Sequence, residues 1–253
     1  MKLTRFVHNR GPKYGMVDRD KIYPLSGSLF EKPIREGIGF PLSEVRLLCP
    51  VVPSKIICLG LNYRDHAAEL GYQPPQTPTF FMKPTSALIG TDDHIIYPRE
   101  LVTKMDHEAE LAVVIGRTAR YVEPEDIGFY ILGYTVANDV TARNLQPREG
   151  QWTISKSFDT FLPVGPWIET KLDPTGLDIT LTVNGKIRQQ SNTAEMLFSI
   201  PYIVSYLSKV MTLNPGDLIL TGTPSGVGEL HIHDEVAITV AGIGTLKNLV
   251  AGQ

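Results

Sequence analysis

The chain has 253 residues, a net charge of -3 and an apolar fraction of 42%, a length that suffices for one large or two unequal domains with a sizeable core. Acids and bases are interspersed, with no basic stripe to suggest nucleic acid or a membrane surface, and no apolar run reaches membrane-spanning length. Two cysteines, Cys49 and Cys58, are too few for a disulfide scaffold or a thiolate zinc site and read as buried inert thiols. The opening MKLTRFVHNRGPKYG lacks the apolar core of a signal peptide, so a cytoplasmic protein is expected.

The first fifty or so residues carry several turn signals and end at CPVVPSK (49–55), whose two prolines mark the expected boundary between a small β-rich subdomain, 1–50, and a larger domain, 51–253. Strands are expected at 3–8, 14–17, 55–59, 79–82, 108–115, 131–137, 179–183, 218–221 and 235–240. In GLNYRDHAAELG (60–71), Asn62 or Asp65 can cap a short helix that Gly71 ends. In ITLTVNGKIRQQ, alternating apolar residues meet Asn184-Gly185, the pair a type I′ hairpin turn demands. The clearest helix is SIPYIVSYLSKVM, with Ser199 as cap, Pro201 in the first turn and Ile203, Leu207, Val210 and Met211 as its apolar face. Long helices do not alternate with the strands, which excludes a parallel α/β sheet and predicts a β-rich α+β fold.

MDHEAELAVVIG (105–116) holds the main tension. Alternation puts Glu108 and Glu110 on one face of a strand headed for the core. Alone, E-x-E reads more often as a solvated edge strand than as a metal site. A second apolar strand, ILGYTVAN, ends in Asp139, so three hard oxygen donors can gather, a set that suits Mg²⁺, Mn²⁺ or Ca²⁺ rather than zinc or copper. His107 faces the other way and reads as structural or supporting. His66 and Glu69, at i and i+3, can pair into a general base held by a carboxylate, or form an incidental surface pair. Lys83, Arg143 and Lys156 sit in segments too apolar or too punctuated for ordinary solvated faces, and an anionic substrate beside a metal needs such partners. LILTGTPSGVG (218–228) has neither the lysine of a P-loop nor a G-x-S-x-G elbow, although its N–H groups and the Thr223 hydroxyl can donate to a substrate oxygen.

Taken in order, KIICLGLNYRDHAAELG, FFMKPTSALIG, MDHEAELAVVIG, GYTVANDVTARNLQ, WTISKSFDTFLPVGPW and the run from VNGKIRQQ to LILTGTPSGVG resemble the fumarylacetoacetate hydrolase family over about residues 50 to 250. The nearest resemblance is to its short-chain branch of acylpyruvate hydrolases, oxaloacetate decarboxylases and 2-hydroxyhepta-2,4-diene-1,7-dioate isomerases. The resemblance implies a mixed β-roll with a small N-terminal β-rich subdomain, usually homodimeric. It implies Mg²⁺ or Mn²⁺ (Ca²⁺ as a substitute) held by Glu108, Glu110 and Asp139, and a His66–Glu69 dyad on a lid that orders over substrate. Lys156 joins the dyad as a catalytic residue, and Lys83, Arg143, Gln146 and Thr223 match positions around the substrate. A further acidic ligand of long-chain members has no evident counterpart and is left to water.

The expected reaction proceeds through a metal-stabilised enolate of a small 2-oxo acid. It is C–C hydrolysis of acylpyruvates or decarboxylation of oxaloacetate, in catabolism or metabolite repair. The isomerase, or 5-oxopent-3-ene-1,2,5-tricarboxylate decarboxylase, of aromatic-acid breakdown is the alternative. An inactive metal-binding relative is the alternative of another class.

Overall fold

The computed structural model describes residues 1–147 and 150–253, with Arg10 described in its backbone alone. A large mixed sheet runs through the molecule. Its centre is Ala109–Ile115, paired antiparallel with Ile131–Asn138 on one side and Leu218–Leu220 on the other. Beyond Leu218–Leu220 lie Ile56–Leu59, parallel to it, and then Phe80–Lys83, antiparallel. Beyond Ile131–Asn138 lies Leu162–Glu169, and the N-terminal strand Lys2–His8 continues the sheet from there into Arg10–Asp18 and Lys21–Ser26. The N-terminal β-rich subdomain is thus joined to the larger part by main-chain pairing.

Period-2 patterning explains how the centre packs. Leu111, Val113 and Ile115 face one core, shared with Ile179, Leu181, Val236 and Ile238 of a second sheet and with Ile203, Val204 and Leu207 of helix α3 (Ile200–Val210). Ala112 and Val114 face the other core, with Ile56, Cys58, Leu218 and Leu220. Burying both faces makes this strand the most rigid support available. Truncating Leu111 to Ala would cost about 2–5 kcal/mol. The second sheet has the order His94–Tyr97, Gly244–Gly252, Glu235–Val240, Asp178–Val183, Lys186–Asn192. Among the described residues, no helix is long and apolar enough to cross a membrane.

Several expectations change in detail. The strand expected over 108–115 begins at Ala109: Glu108 lies in a break between Met105–His107 and Ala109–Ile115, because its N–H leaves the ladder to donate to Asn138 Oδ1 at 3.0 Å. Helix α1 (Arg64–Leu70) has Tyr63 at its N-cap, and Asn62 is buried elsewhere, donating to Thr221 O at 2.7 Å and accepting from Phe198 N at 2.9 Å. Gly71 does end it, at φ 67°. Ser199 stands at the N-cap of α3 without a side-chain capping bond. The helix buries Ile200, Ile203, Val204 and Leu207, whereas Val210, in its last turn, is 49% exposed, and Met211 lies just past it. The Asn184-Gly185 turn forms as expected, with φ of 51° and 73°.

Candidate active site and metal centre

The central strands deliver three carboxylates to one point. Glu108 sits in the break before Ala109–Ile115, Glu110 is two residues further, and Asp139 follows Ile131–Asn138, whose last residue pairs with Ala109. One oxygen from each lies within 4.8 Å of the others. Glu108 is 7% exposed, Glu110 1% and Asp139 0%, so the solvated-edge alternative does not hold.

Three cations converge on the same point. Lys156 Nζ, from the short helix α2 (Thr153–Lys156), bridges Glu108 Oε2 at 2.8 Å and Asp139 Oδ2 at 2.7 Å. Lys83 Nζ donates to Asp139 Oδ1 at 2.6 Å and to Val140 O at 3.0 Å. Arg143 spreads its guanidinium over Glu108 Oε1 at 2.6 Å, Asp106 Oδ2 at 2.7 Å and the Gln146 carboxamide. Burial raises the Glu108 pKa, yet Lys156 and Arg143 outweigh it and hold the carboxyl at about 2. Burial opposes the charge on Lys156, yet Asp139 and Glu108 raise its pKa above the usual ammonium range.

Glu110 differs from its neighbours. Its one hydrogen-bond donor among the described residues is the Gly222 N–H, at 2.6 Å, and no cation pairs with it. Burial first, then Asp139 and Glu108, push its pKa well above the carboxylate range. Four buried acids (Asp106, Glu108, Glu110, Asp139) face three cations (Lys83, Arg143, Lys156), one positive charge short. An uncompensated buried charge costs several kcal/mol. A divalent ion covers this deficit and leaves one positive charge over for an anionic ligand. The donors are all hard oxygens, oxygens on opposite sides of such an ion lie about 4–5 Å apart, and each carboxylate keeps at least one oxygen with a lone pair beside its present partner.

Glu108 and Glu110 open onto a cavity of about 250 Å³, with Asp139 buried behind them. Glu108, Glu110, Arg143, Gln146, Lys156 and Thr223 form its polar part, and Leu61, Leu70, Tyr72, Phe81 and Trp152 its apolar part. Lys83 is fully buried, holds Asp139, and is not among the lining residues. His66 reaches the cavity from α1, its Nδ1 3.0 Å from Glu69 Oε2. Glu69 also accepts the Gly226 N–H at 3.0 Å, and Asp65 accepts from Ser191 Oγ at 2.6 Å, so α1 is tied down over the opening. The fold thus brings His66, Glu69, Lys156, Arg143, Gln146, Thr223 and the three carboxylates together. Sequence reasoning passed over Asp106, which anchors Arg143, and Gln189, which links the glutamate strand to Thr223. Asp106 was visible beside E-x-E, but nothing marked Gln189, a polar residue on an outer hairpin strand.

Residues 55–251 match the model for the fumarylacetoacetate (FAA) hydrolase C-terminal domain, and residues 1–50 match that for an Rv2993c-like N-terminal domain. The chain belongs to the fumarylacetoacetate hydrolase family. It is 44% identical to the oxaloacetate tautomerase YisK of Bacillus subtilis, over 83% of this chain and 75% of that protein. Among solved structures it resembles 2-hydroxyhepta-2,4-diene-1,7-dioate isomerase from Mycobacterium marinum (TM-score 0.92, 40% identity, 100% of this chain and 99% of that one). It also resembles maleylpyruvate hydrolase from Sphingobium sp. SYK-6, solved with manganese(II) and pyruvate (TM-score 0.83, 33% identity, 100% and 99%).

Proposed function

We propose that the protein is a divalent-metal-dependent enzyme of small 2-oxo acids that works through an enolate, with keto–enol tautomerisation of an oxaloacetate-like acid as its first activity. The observation that carries this is the buried Glu108–Glu110–Asp139 cluster, one positive charge short, whose two glutamates line the cavity that His66 also reaches. Glu108, Glu110 and Asp139 would hold Mg²⁺ or Mn²⁺. The ion would supply Lewis-acid stabilisation of negative charge developing on the keto oxygen.

The chain's own residues do the rest. His66 takes the proton from C3 of the keto acid, and Glu69 sets its tautomer and stabilises the imidazolium that results. Returning that proton to oxygen yields the enol, and the reverse sequence regenerates the ketone. Lys156 and Arg143 add positive potential where the substrate carboxylate lies, and Gln146 and Thr223 hydrogen-bond its oxygens. Closure of α1 over the opening excludes water from the carbanion. The likeness to an oxaloacetate tautomerase supports this reading.

A second reading rests on the same dyad. His66 held by Glu69 can deprotonate water instead of carbon, which suits C–C hydrolysis of acylpyruvates. The likeness to a hydrolase solved with manganese(II) and pyruvate supports it. Decarboxylation of oxaloacetate needs the same enolate without any base.

The test is a parallel assay of the Mg²⁺- and Mn²⁺-loaded protein. Oxaloacetate tautomerisation and decarboxylation, acetylpyruvate hydrolysis and dienedioate isomerisation would each be followed. Tautomerisation fastest of the four is the expected result. Hydrolysis without tautomerisation would move the second reading to first place, and no turnover of any substrate would sink the enzyme reading.

A further inference from the structure

The outer strand Lys186–Asn192 buries the wrong kind of residue for its place. Ile187 is 58% exposed, whereas Gln189 is 1% exposed. The register shows how this arises. Gln189 pairs with Leu181 and Ile187 with Thr182, so Arg188 is an extra residue, a β-bulge. Bulges bend a strand and re-aim the neighbouring side chain, and they recur beside active sites.

The glycine-rich turn is built to fit this bulge. Gly226 has φ 91°, and a Cβ there would lie 2.2 Å from Arg188 O, so the two backbones touch where only glycine fits. That contact brings Thr223 and Pro224 within reach of Gln189. Its Oε1 accepts from Ala109 N at 2.9 Å and pairs with His107 Nδ1 at 3.1 Å. Its Nε2 donates to Pro224 O at 2.9 Å and to Thr223 Oγ1 at 2.8 Å. The amide orientation follows from its partners, because the Ala109 N–H can only donate and the Pro224 carbonyl can only accept. Burial lowers the His107 pKa, consistent with a neutral ring that donates from Nδ1.

We propose that Gln189 is a positioning residue. It clamps the backbone between the two glutamates to the Thr223 turn, and by donating to Thr223 Oγ1 it leaves that hydroxyl's proton to point into the cavity as a donor to substrate. The clamp closes on Ala109, the residue between Glu108 and Glu110, so one side chain sets the spacing of the carboxylates and the oxygen-binding hydroxyl. A buried, fully satisfied amide suits this role because it has one low-energy arrangement. Thr223 as a substrate contact rests on the proposed function, whereas the clamp does not.

The experiment combines Gln189→Met and Thr223→Val, singly and together, with two readouts. The first needs no substrate or metal: side-chain couplings of the Thr223 methyl report one χ1 rotamer in the parent protein and averaging in Gln189→Met. An unchanged single rotamer would overturn the clamp, whatever the activity. The second is kinetic. Each single variant should lower kcat by roughly tenfold, as misplacement of a contact can, and the double variant should be no slower than Thr223→Val. Fully multiplicative losses would overturn the route through Thr223. If the parent protein turns over none of the four assayed reactions, the functional reading fails while the rotamer measurement still decides the clamp. Should the methionine variant not fold, Gln189→Asn replaces it, too short to hold Ala109 and Thr223 together.

Discussion

The cavity has two walls built on opposite principles. The carboxylate wall stands on central strands buried on both faces and is cross-braced by Lys83, Lys156 and Arg143. The His66 wall is a seven-residue helix held by a few hydrogen bonds through Asp65 and Glu69, the latter side chain 41% exposed. Charge that must stay put is placed where the dielectric is low and the scaffold rigid. His66, the base of the proposed reaction, sits on an element whose local opening costs little. Rigidity and access are divided between the walls, which predicts that substitutions in the first will register mainly in stability and those in the second mainly in rate.

The largest effect expected is for Lys156→Met, which strands Glu108 and Asp139 without their bridge. Metal-free stability should fall by about 3–5 kcal/mol in urea denaturation. A loss below 1 kcal/mol would mean that the ammonium contributes little to holding the wall together. Next comes the deficit at Glu110. Mn²⁺ at a hundred times its dissociation constant should stabilise the protein by about 2.7 kcal/mol in thermal denaturation. Glu110→Gln should abolish that gain while leaving the metal-free variant at least as stable as the parent, since it removes a carboxyl whose ionisation burial and its acidic neighbours oppose. A metal-induced rise of full size in this variant would remove Glu110 from the ligand set.

His66→Ala reverses the pattern. It should lower kcat for tautomerisation about 100-fold while changing stability by less than about 0.5 kcal/mol and leaving Mn²⁺ affinity, by calorimetry, unaltered. An equal loss of stability would erase the distinction between the walls. The smallest effect falls on Asp65→Ala, which removes the ties to Ser191 and Ser225. It should raise KM several-fold with global stability lowered by about 1 kcal/mol or less. Faster hydrogen exchange confined to residues 64–70 would locate the change in α1.

Much of the carboxylate wall was legible because its signals are local. Alternation places Glu108 and Glu110 together, and a second apolar strand ending in Asp139 supplies the third oxygen. What alternation did not show was the break at Glu108, which depends on Asn138, a side chain thirty residues away in sequence. Some strands escaped notice for chemical reasons. Leu162–Glu169 contains two prolines and a glycine, punctuation that reads as loop, yet it pairs with both Ile131–Asn138 and Lys2–His8. Val210 illustrates the converse. Its spacing continues the apolar face of α3, but it lies in the last turn, where nothing packs over it enough to bury it.

The sequence by itself determined the β-rich α+β class, the Asn184-Gly185 hairpin and the chemical type of the site. Each depends on backbone preference or side-chain period within a few residues. Only the tertiary structure decided which cation meets which carboxylate, that Glu110 is left without one, and that a bulge turns Gln189 inward to the Thr223 turn. Those outcomes rest on sheet register and bulge position, which join residues tens of positions apart. A shift of one residue in a strand's register would send that strand's side chains to the opposite face.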